Sequence, residues 1–260
     1  MPSHFIWYEL LTPDADASQR FYSDIVGWTI QAGTTPGMDY RHLMAPDGEG
    51  IGGMLQLTPQ MQAGGARPVW LGYLHVPDVD AAVKAIEAQG GKTQMPATTI
   101  DTVGRMAMVA DPQGAPIYVM TPTPPPERKD ATSTAFSRTA VGHCAWNELA
   151  TSDPKKAFAF YTGQFGWTDG GSMPMGESGD YQFINDESGM IGAVMNSAAG
   201  NRPSMWTYYF RVPDIDAAKE KIETGGGMIM HGPQDVPGGD FILIAGDPQG
   251  AMFALIGKKS

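Results

Sequence analysis

Val76-Pro77-Asp78-Val79-Asp80-Ala81-Ala82 returns 136 residues later as Val212-Pro213-Asp214-Ile215-Asp216-Ala217-Ala218. Six of the seven residues are identical, and a match of that length within one chain marks a duplication. Toward the N-terminus, Trp7-Tyr8-Glu9-Leu10 recurs as Trp146-Asn147-Glu148-Leu149. Phe21-Tyr22 recurs as Phe160-Tyr161 and Gly27-Trp28 as Gly166-Trp167, all at an offset of 139. Toward the C-terminus, Asp111-Pro112-Gln113-Gly114-Ala115 recurs as Asp247-Pro248-Gln249-Gly250-Ala251 at the offset of 136. A slip of three residues over a whole copy is absorbed by short loop changes. Between the copies runs PTPPPERKDATSTAF, residues 122–136, whose prolines disfavour helix and sheet and read as an extended linker. The chain is therefore expected to hold one module over 1–123, a Pro-rich linker over 124–136, and a second module over 137–260.

Within a module the sequence predicts a fixed order of elements. Phe5 to Leu11 is apolar and aromatic and reads as a first strand. Pro13-Asp14 opens a helix with apolar positions at Ala17, Phe21, Ile25 and Val26, and Gly27 stops it. Strands follow over Trp28 to Ala32, Met38 to Ala45, Ile51 to Leu57 and Val69 to Val76. Asp78 caps a second helix, in which Val79, Ala82, Val83 and Ile86 have helical spacing and Gly90-Gly91 marks the end. Strands near Lys92 to Thr98, Arg105 to Val109 and Pro116 to Thr121 close the module. Each module thus contains two βαβββ units, and the fold class is α+β with four such units.

Composition narrows the function. Of 260 residues, 42% are hydrophobic and 17% charged, as in an ordinary globular chain. No apolar run reaches the ~20 residues of a membrane-spanning helix, and the N-terminus does not read as a secretory signal. The formal net charge of −11 argues against a nucleic-acid partner, which requires clustered Lys and Arg. Cys144 is the single cysteine, so no intrachain disulfide forms, and a cytoplasmic location is expected.

The order of motifs, with Phe-Tyr and Gly-Trp after the first helix and Asp-Pro-x-Gly before the last strand, resembles the vicinal oxygen chelate superfamily. That superfamily groups glyoxalases, bleomycin-resistance proteins and extradiol dioxygenases, and the chain is most similar to its tandem bacterial members. The resemblance implies two glyoxalase/bleomycin-resistance-type modules, each curling into an incomplete barrel whose concave face holds a small ligand. It also implies a divalent metal ion held by His or Glu on the first, fifth and last strands. Carried over residue by residue, those positions hold Trp7 and Trp146, Gly72 or Tyr73 and Tyr208 or Tyr209, and Tyr118 and Ala254. Indole offers no lone pair to a metal and alanine offers nothing. No metal and no other cofactor is therefore expected, a divalent ion at an unrecognised site being the alternative.

On a strand, residues two apart share a face, so Phe5, Trp7 and Glu9 are expected together, as are Cys144, Trp146 and Glu148. Tyr40, Tyr73, Tyr118, Tyr181, Tyr209, Trp70 and Trp206 would add aromatic walls, with His42 and His75 as polar candidates. A tryptophan beside a carboxylate suits a flat or cationic organic ligand. The competing reading is plain core packing, since large aromatics are usually buried. Glu9 and Glu148 are expected either to accept structural hydrogen bonds or to act as general base, with a raised pKa if the pocket is dry. Cys144, though next to His143, is expected to be buried and inert, and Asp-Pro-Gln-Gly to be a turn. Three readings follow: a metal-free small-molecule binder, an enzyme of the lyase or dioxygenase type or a metal-free acid–base enzyme using Glu9 or Glu148, and a non-catalytic scaffold. The binder is preferred, as a monomer or weak homodimer. The copies differ at Tyr8 and Asn147, His42 and Phe183, His75 and Arg211, and Tyr118 and Ala254. Only one competent cleft is expected, in the N-terminal module.

Overall fold

A computed structural model describes residues 3–33, 37–124, 132–197 and 203–259. The first copy runs β1 (Phe5–Thr12), α1 (Ala15–Val26), β2 (Thr29–Ala32), β3 (Tyr40–Met44), β4 (Gly50–Gln56), α2 (Pro59–Ala63), β5 (Val69–His75), α3 (Val79–Ala88), β6 (Lys92–Ile100), β7 (Gly104–Ala110) and β8 (Pro116–Pro122). The second runs β9 (Cys144–Thr151), α4 (Pro154–Phe165), β10 (Thr168–Pro174), β11 (Asp180–Asp186), β12 (Gly189–Asn196), β13 (Met205–Asp214), α5 (Ile215–Thr224), β14 (Met228–Val236), β15 (Asp240–Gly246) and β16 (Met252–Lys258). Each copy forms one eight-stranded sheet, in the orders β2-β3-β4-β1-β5-β8-β7-β6 and β10-β11-β12-β9-β13-β16-β15-β14. The identical orders are the duplication seen in three dimensions. Most of the linker, residues 125–131, lies outside the described residues.

Local rules explain the elements. Asp14 caps α1, accepting from Ala17 N at 2.9 Å, and Gly27 ends it at φ +84°, a left-handed conformation that favours glycine. Asp78, Asp153 and Asp214 cap α3, α4 and α5 in the same way. The short helix α2 was not expected, although Thr58 followed by Pro59 is a start signal: the threonine caps Met61 N and proline occupies the first turn. Trp28, expected in a strand, precedes β2 and is buried, donating from Nε1 to Gly142 O at 2.7 Å. Among the described residues no helix is long and apolar enough to cross a membrane.

The backbone clusters into two compact units that do not coincide with the two copies. The first unit comprises Met1–Ile6, Gly72–Ser133 and Asn147–Trp206, and the second Trp7–Leu71, Thr134–Trp146 and Thr207–Ser260. Each unit therefore joins half of one copy to the complementary half of the other.

In the second unit, α1 packs on α5 and the buried phenol of Tyr22 bridges the copies. Trp70 Nε1 donates to Tyr22 Oη at 3.0 Å, and Tyr22 Oη donates to Asp247 Oδ2 at 3.0 Å. Asp247 Oδ1 accepts from the amides of Gln249 and Ala251 at 3.0 and 2.8 Å. The first unit repeats the arrangement: Trp206 Nε1 donates to Tyr161 Oη at 3.0 Å, and Asp111 Oδ1 accepts from the amides of Gln113 and Ala115. Burial raises both carboxyls, Asp111 and Asp247, above the usual range; the backbone amides and the two tyrosines oppose it by favouring the ionised form. Asp-Pro-Gln-Gly is a turn as expected, and its aspartate is also an anchor.

One difference between the units is testable. Ser18 Oγ donates to Gln249 Oε1 at 3.2 Å, whereas the position equivalent to Ser18 is Ala157, and among the described residues the buried Oε1 of Gln113 has no hydrogen-bond partner. Ala157→Ser is expected to stabilise the protein by about 1 kcal/mol, the gain from satisfying a buried acceptor less the small helix-propensity cost. A thermal melt checks this, and a melting temperature unchanged or lowered would count against it.

Candidate functional site

Trp7 and Glu9 stand on β1, two residues apart. β1 runs parallel to β4 with Glu9 opposite Gly53, and β4 runs antiparallel to β3 with Gly53 opposite His42. Glu9, Gly53 and His42 thus form one row across three strands, the middle place having no side chain. Tyr40 fills it: a Cβ on Gly53 would stand 2.0 Å from Tyr40 Oη. Trp7 Nε1 donates to Tyr40 Oη at 2.8 Å, and the His42 ring meets both neighbours edge-on, at 6.1 Å from Trp7 and 5.5 Å from Tyr40. Trp7 and Tyr40 are half-buried and His42 is exposed, while Glu9 is only 4% exposed. A carboxylate at that depth needs polar partners or a cationic neighbour. These four residues, all in the second unit, make a polar aromatic cluster with one acidic group.

The second copy arranges the same elements differently. Glu148 lies opposite Ala193, which lies opposite Phe183. Tyr181 Oη donates to Glu148 Oε2 at 2.6 Å, and Tyr181 meets Phe183 edge-on at 5.5 Å. Trp146 is half-buried. Tyr209, on β13, is buried opposite Ala254.

The remaining expected residues lie in the first unit. Tyr73 and Tyr118 are opposite each other on β5 and β8, and their buried rings stack at 4.2 Å and 9°. His75 is half-buried and stacks on His4 at 5.4 Å; burial, then the nearby His4, holds its imidazole below the ordinary value. Two aromatic side chains depart from expectation. The Phe5 ring packs against Trp167 and Trp206, where Trp167 Nε1 anchors the incoming chain by donating to Ser3 O at 2.6 Å. Trp70 and Trp206 are not ligand walls but buried donors to Tyr22 and Tyr161 of α1 and α4. Alternation along one strand could not reveal that, because the competing partners lie on helices of the same copy, 48 and 45 residues upstream.

Cys144 is buried, and desolvation pushes its thiol up to about 12. A thiol at that value carries almost no nucleophilic thiolate at neutral pH. Folded protein is expected to leave Ellman's reagent unreacted at pH 8 and to release one equivalent of chromophore in denaturant; prompt reaction of the native protein would refute the assignment.

The residues at the metal positions implied by the resemblance do not fit a metal ion. Trp7 presents an N–H donor, committed to Tyr40, and Tyr118 is stacked on Tyr73. Among the described residues no group of three or more His, Cys, Asp or Glu is placed to hold an ion. A surface depression of about 330 Å³ is lined by Pro77, Asp78, Arg105 and their neighbours in the first unit and contains none of the expected site residues.

The model of the Glyoxalase/Bleomycin resistance protein/Dioxygenase superfamily matches residues 4–119 and again 140–255. A Mycobacterium tuberculosis protein named "Putative glyoxylase CFP32" is 32% identical over 251 residues, covering 96% of this chain and 93% of its own. The anthracycline biosynthesis protein DnrV of Streptomyces peucetius is 28% identical over 267 residues, covering 96% and 91%. Among solved structures, the Mn(II)-bound glyoxalase of Novosphingobium aromaticivorans superposes with a TM-score of 0.65 at 16% identity, covering 100% of this chain and 83% of its own. Homoprotocatechuate 2,3-dioxygenase of Arthrobacter globiformis gives 0.67 at 18%, covering 99% and 80%. At such identities the structural likeness speaks for the fold alone.

Proposed function

Because the chain belongs to the glyoxalase/bleomycin resistance protein/dioxygenase superfamily, we propose that it binds a small aromatic or cationic molecule without the metal ion of its metal-dependent relatives. The observation that carries this reading is the row Glu9–Gly53–His42 with Trp7 and Tyr40 beside it. Indole and phenol faces attract flat rings and cations, and the buried carboxylate supplies a counter-charge. The Streptomyces relatives carry names from anthracycline biosynthesis, a chemistry of fused aromatic rings, which agrees with an aromatic ligand. A metal-free acid–base enzyme is the second reading, favoured by the 2.6 Å bond from Tyr181 to Glu148, a phenol donor held on a carboxylate. Binding as a monomer, through the N-terminal copy, completes the proposal.

Native mass spectrometry of untagged protein, purified from its own host without chelators, tests it. The bare chain carrying a small organic adduct is the expected result. A stoichiometric divalent metal, lost with a chelator, would overturn the metal-free reading in favour of a lyase or dioxygenase. With 9-aminoacridinium as a planar cationic probe, Trp7→Ala and Glu9→Gln are each expected to weaken binding at least about tenfold, or ~1.4 kcal/mol. Calorimetric titration measures this, and wild-type affinity in both variants would refute the assigned cluster.

A further inference from the structure

His143 stands at the end of the segment that leads into β9, and it and its partners lie in the second unit. The segment folds back on itself: Ser137 N donates to Cys144 O at 2.8 Å, and Cys144 N to Ala135 O at 3.2 Å. It seats on the turn between β3 and β4, residues 45–49. Gly142 carries φ +85°, and a Cβ there would stand 2.5 Å from Pro46 Cδ, so glycine lets the two stretches close. Trp28 Nε1 donates to Gly142 O at 2.7 Å, and Thr134 Oγ1 to Glu49 Oε2 at 3.3 Å.

The imidazole of His143 completes this contact. Its Nδ1 is 2.6 Å from Thr134 O and its Nε2 2.9 Å from Asp47 Oδ2. Both partners are acceptors, so both bonds form only when each ring nitrogen carries a hydrogen, as in the imidazolium. The side chain is 2% exposed, so a nitrogen stripped of its hydrogen cannot turn to water and sets a lone pair against an oxygen. Asp47 is 48% exposed and keeps the negative end of the pair in solvent. The Glu49 amide, and then His143, hold the Asp47 carboxyl below the usual range, so within the pair the ring alone changes charge above mild acid. The other charged groups around it are Glu49 on the turn, Arg138 on the segment and Arg211 on β13. The Arg211 guanidinium is turned to Asp240 Oδ2 at 2.8 Å and to Arg138 O at 2.9 Å.

The first copy supplies the comparison. Ser3 and His4 correspond to Gly142 and His143 at 139 residues' distance, and Trp28 corresponds to Trp167. Trp167 donates to Ser3 O as Trp28 does to Gly142 O, so the tryptophan anchor belongs to the fold. His4 instead stacks on His75 and, among the described residues, has no carboxylate partner. Of the two strand entries, only the one into β9 carries the imidazole contact.

We propose that His143 is a proton-operated clasp, fastening residues 134–144 to the β3–β4 turn in acid and releasing them as pH rises. The inference goes beyond the binding reading and stands without it. Release also loosens the turn that joins β3, with Tyr40 and His42, to β4, with Gly53.

The test compares the full-length wild type with Asp47→Asn, which keeps an acceptor oxygen for the Glu49 amide and removes the charge. The variant is expected to lower the melting temperature by about 4 °C near pH 5.5 and by less than half as much near pH 9, on either side of the ordinary imidazole range. Should the variant fold poorly, wild type labelled with nitrogen-15 at histidine decides alone. Two N–H signals are expected from His143 in acid, sheltered from exchange by burial, and one of them is expected to vanish in base. A single neutral tautomer in acid, both hydrogens retained at pH 9, or an equal loss of stability at the two pH values overturns the clasp and leaves the proposed binding function standing. A protein with the pH-dependent signals that binds no planar cation overturns the binding reading and leaves the clasp.

Discussion

Gly53→Ala is expected to lower affinity for a planar cationic ligand by about tenfold or more, ~1.4 kcal/mol, at only a modest cost in stability. The new Cβ would stand 2.0 Å from Tyr40 Oη and 2.3 Å from Cζ, so the ring must leave its place over β4. Because the obstructing atoms belong to a half-buried side chain rather than to backbone, the ring can swing away and the fold survives. Leaving its place breaks the 2.8 Å bond from Trp7 Nε1, and with it the fixed geometry of the indole beside Glu9. The second copy shows that the exchange is compatible with the sheet, since Ala193 holds the equivalent place and Tyr181 there donates to Glu148. A nitrogen-15 spectrum checks the local step through the indole N–H resonance of Trp7, and calorimetry checks the affinity. If neither changes, the tyrosine bridge has no part in binding.

Tyr22→Phe is expected to be the most damaging of the conservative substitutions. One oxygen is lost, but two buried groups lose a partner, Trp70 Nε1 and Asp247 Oδ2. Each such loss costs roughly 1–3 kcal/mol, so about 3 kcal/mol in total is expected, a fall of roughly 6–12 °C in melting temperature for a chain of this size. The loss should also depend on pH. Burial raises the folded-state pKa of Asp247 above its unfolded value, so its contribution to stability is fullest below the unfolded carboxyl range and declines as pH rises through the folded value. The Tyr22 phenol opposes that decline by donating to the ionised carboxylate. Its removal must therefore hurt more at pH 7 than at pH 4. Urea unfolding at the two pH values measures the difference, and an equal loss at both would show that the phenol does not serve the charged form.

Much of the fold was legible in the chain because duplication turns one weak pattern into two concordant ones. The aspartate caps, the Gly27 stop and the succession of strands and helices along the chain all follow from local chemistry stated twice. The pairing of the units was less legible. Phe21-Tyr22 and Asp247-Pro248-Gln249-Gly250 were both visible as motifs, but nothing local says that the tyrosine of one copy donates to the aspartate of the other. Trp70 and Trp206 looked like ligand walls because alternation ranks faces of a strand, while a helix from an earlier stretch of the same copy decides which face it covers. At the candidate site, Trp7, Glu9, Tyr40 and His42 could be chosen from residue type and spacing. The signal missed was Gly53, a glycine inside a strand, which usually marks a close approach by another group.

The swapped pairing of halves has a consequence for how the chain is made. In the second unit, Tyr22 must wait for Asp247, 225 residues downstream. At a synthesis rate of about 5–20 residues per second, roughly 10–45 s separate the appearance of the two groups on the ribosome. Until residue 210 is made the ring of Trp70 has no Phe210 to close over it, and throughout the interval Phe21 and Tyr22 lack Phe253. Vectorial synthesis thus leaves residues 7–71 as a late-maturing segment with exposed aromatic surface until the last stretch of the second copy has been made. A ribosome stalled just before residue 207 should hold residues 7–71 protease-sensitive, and addition of residues 207–260 should protect them in one step.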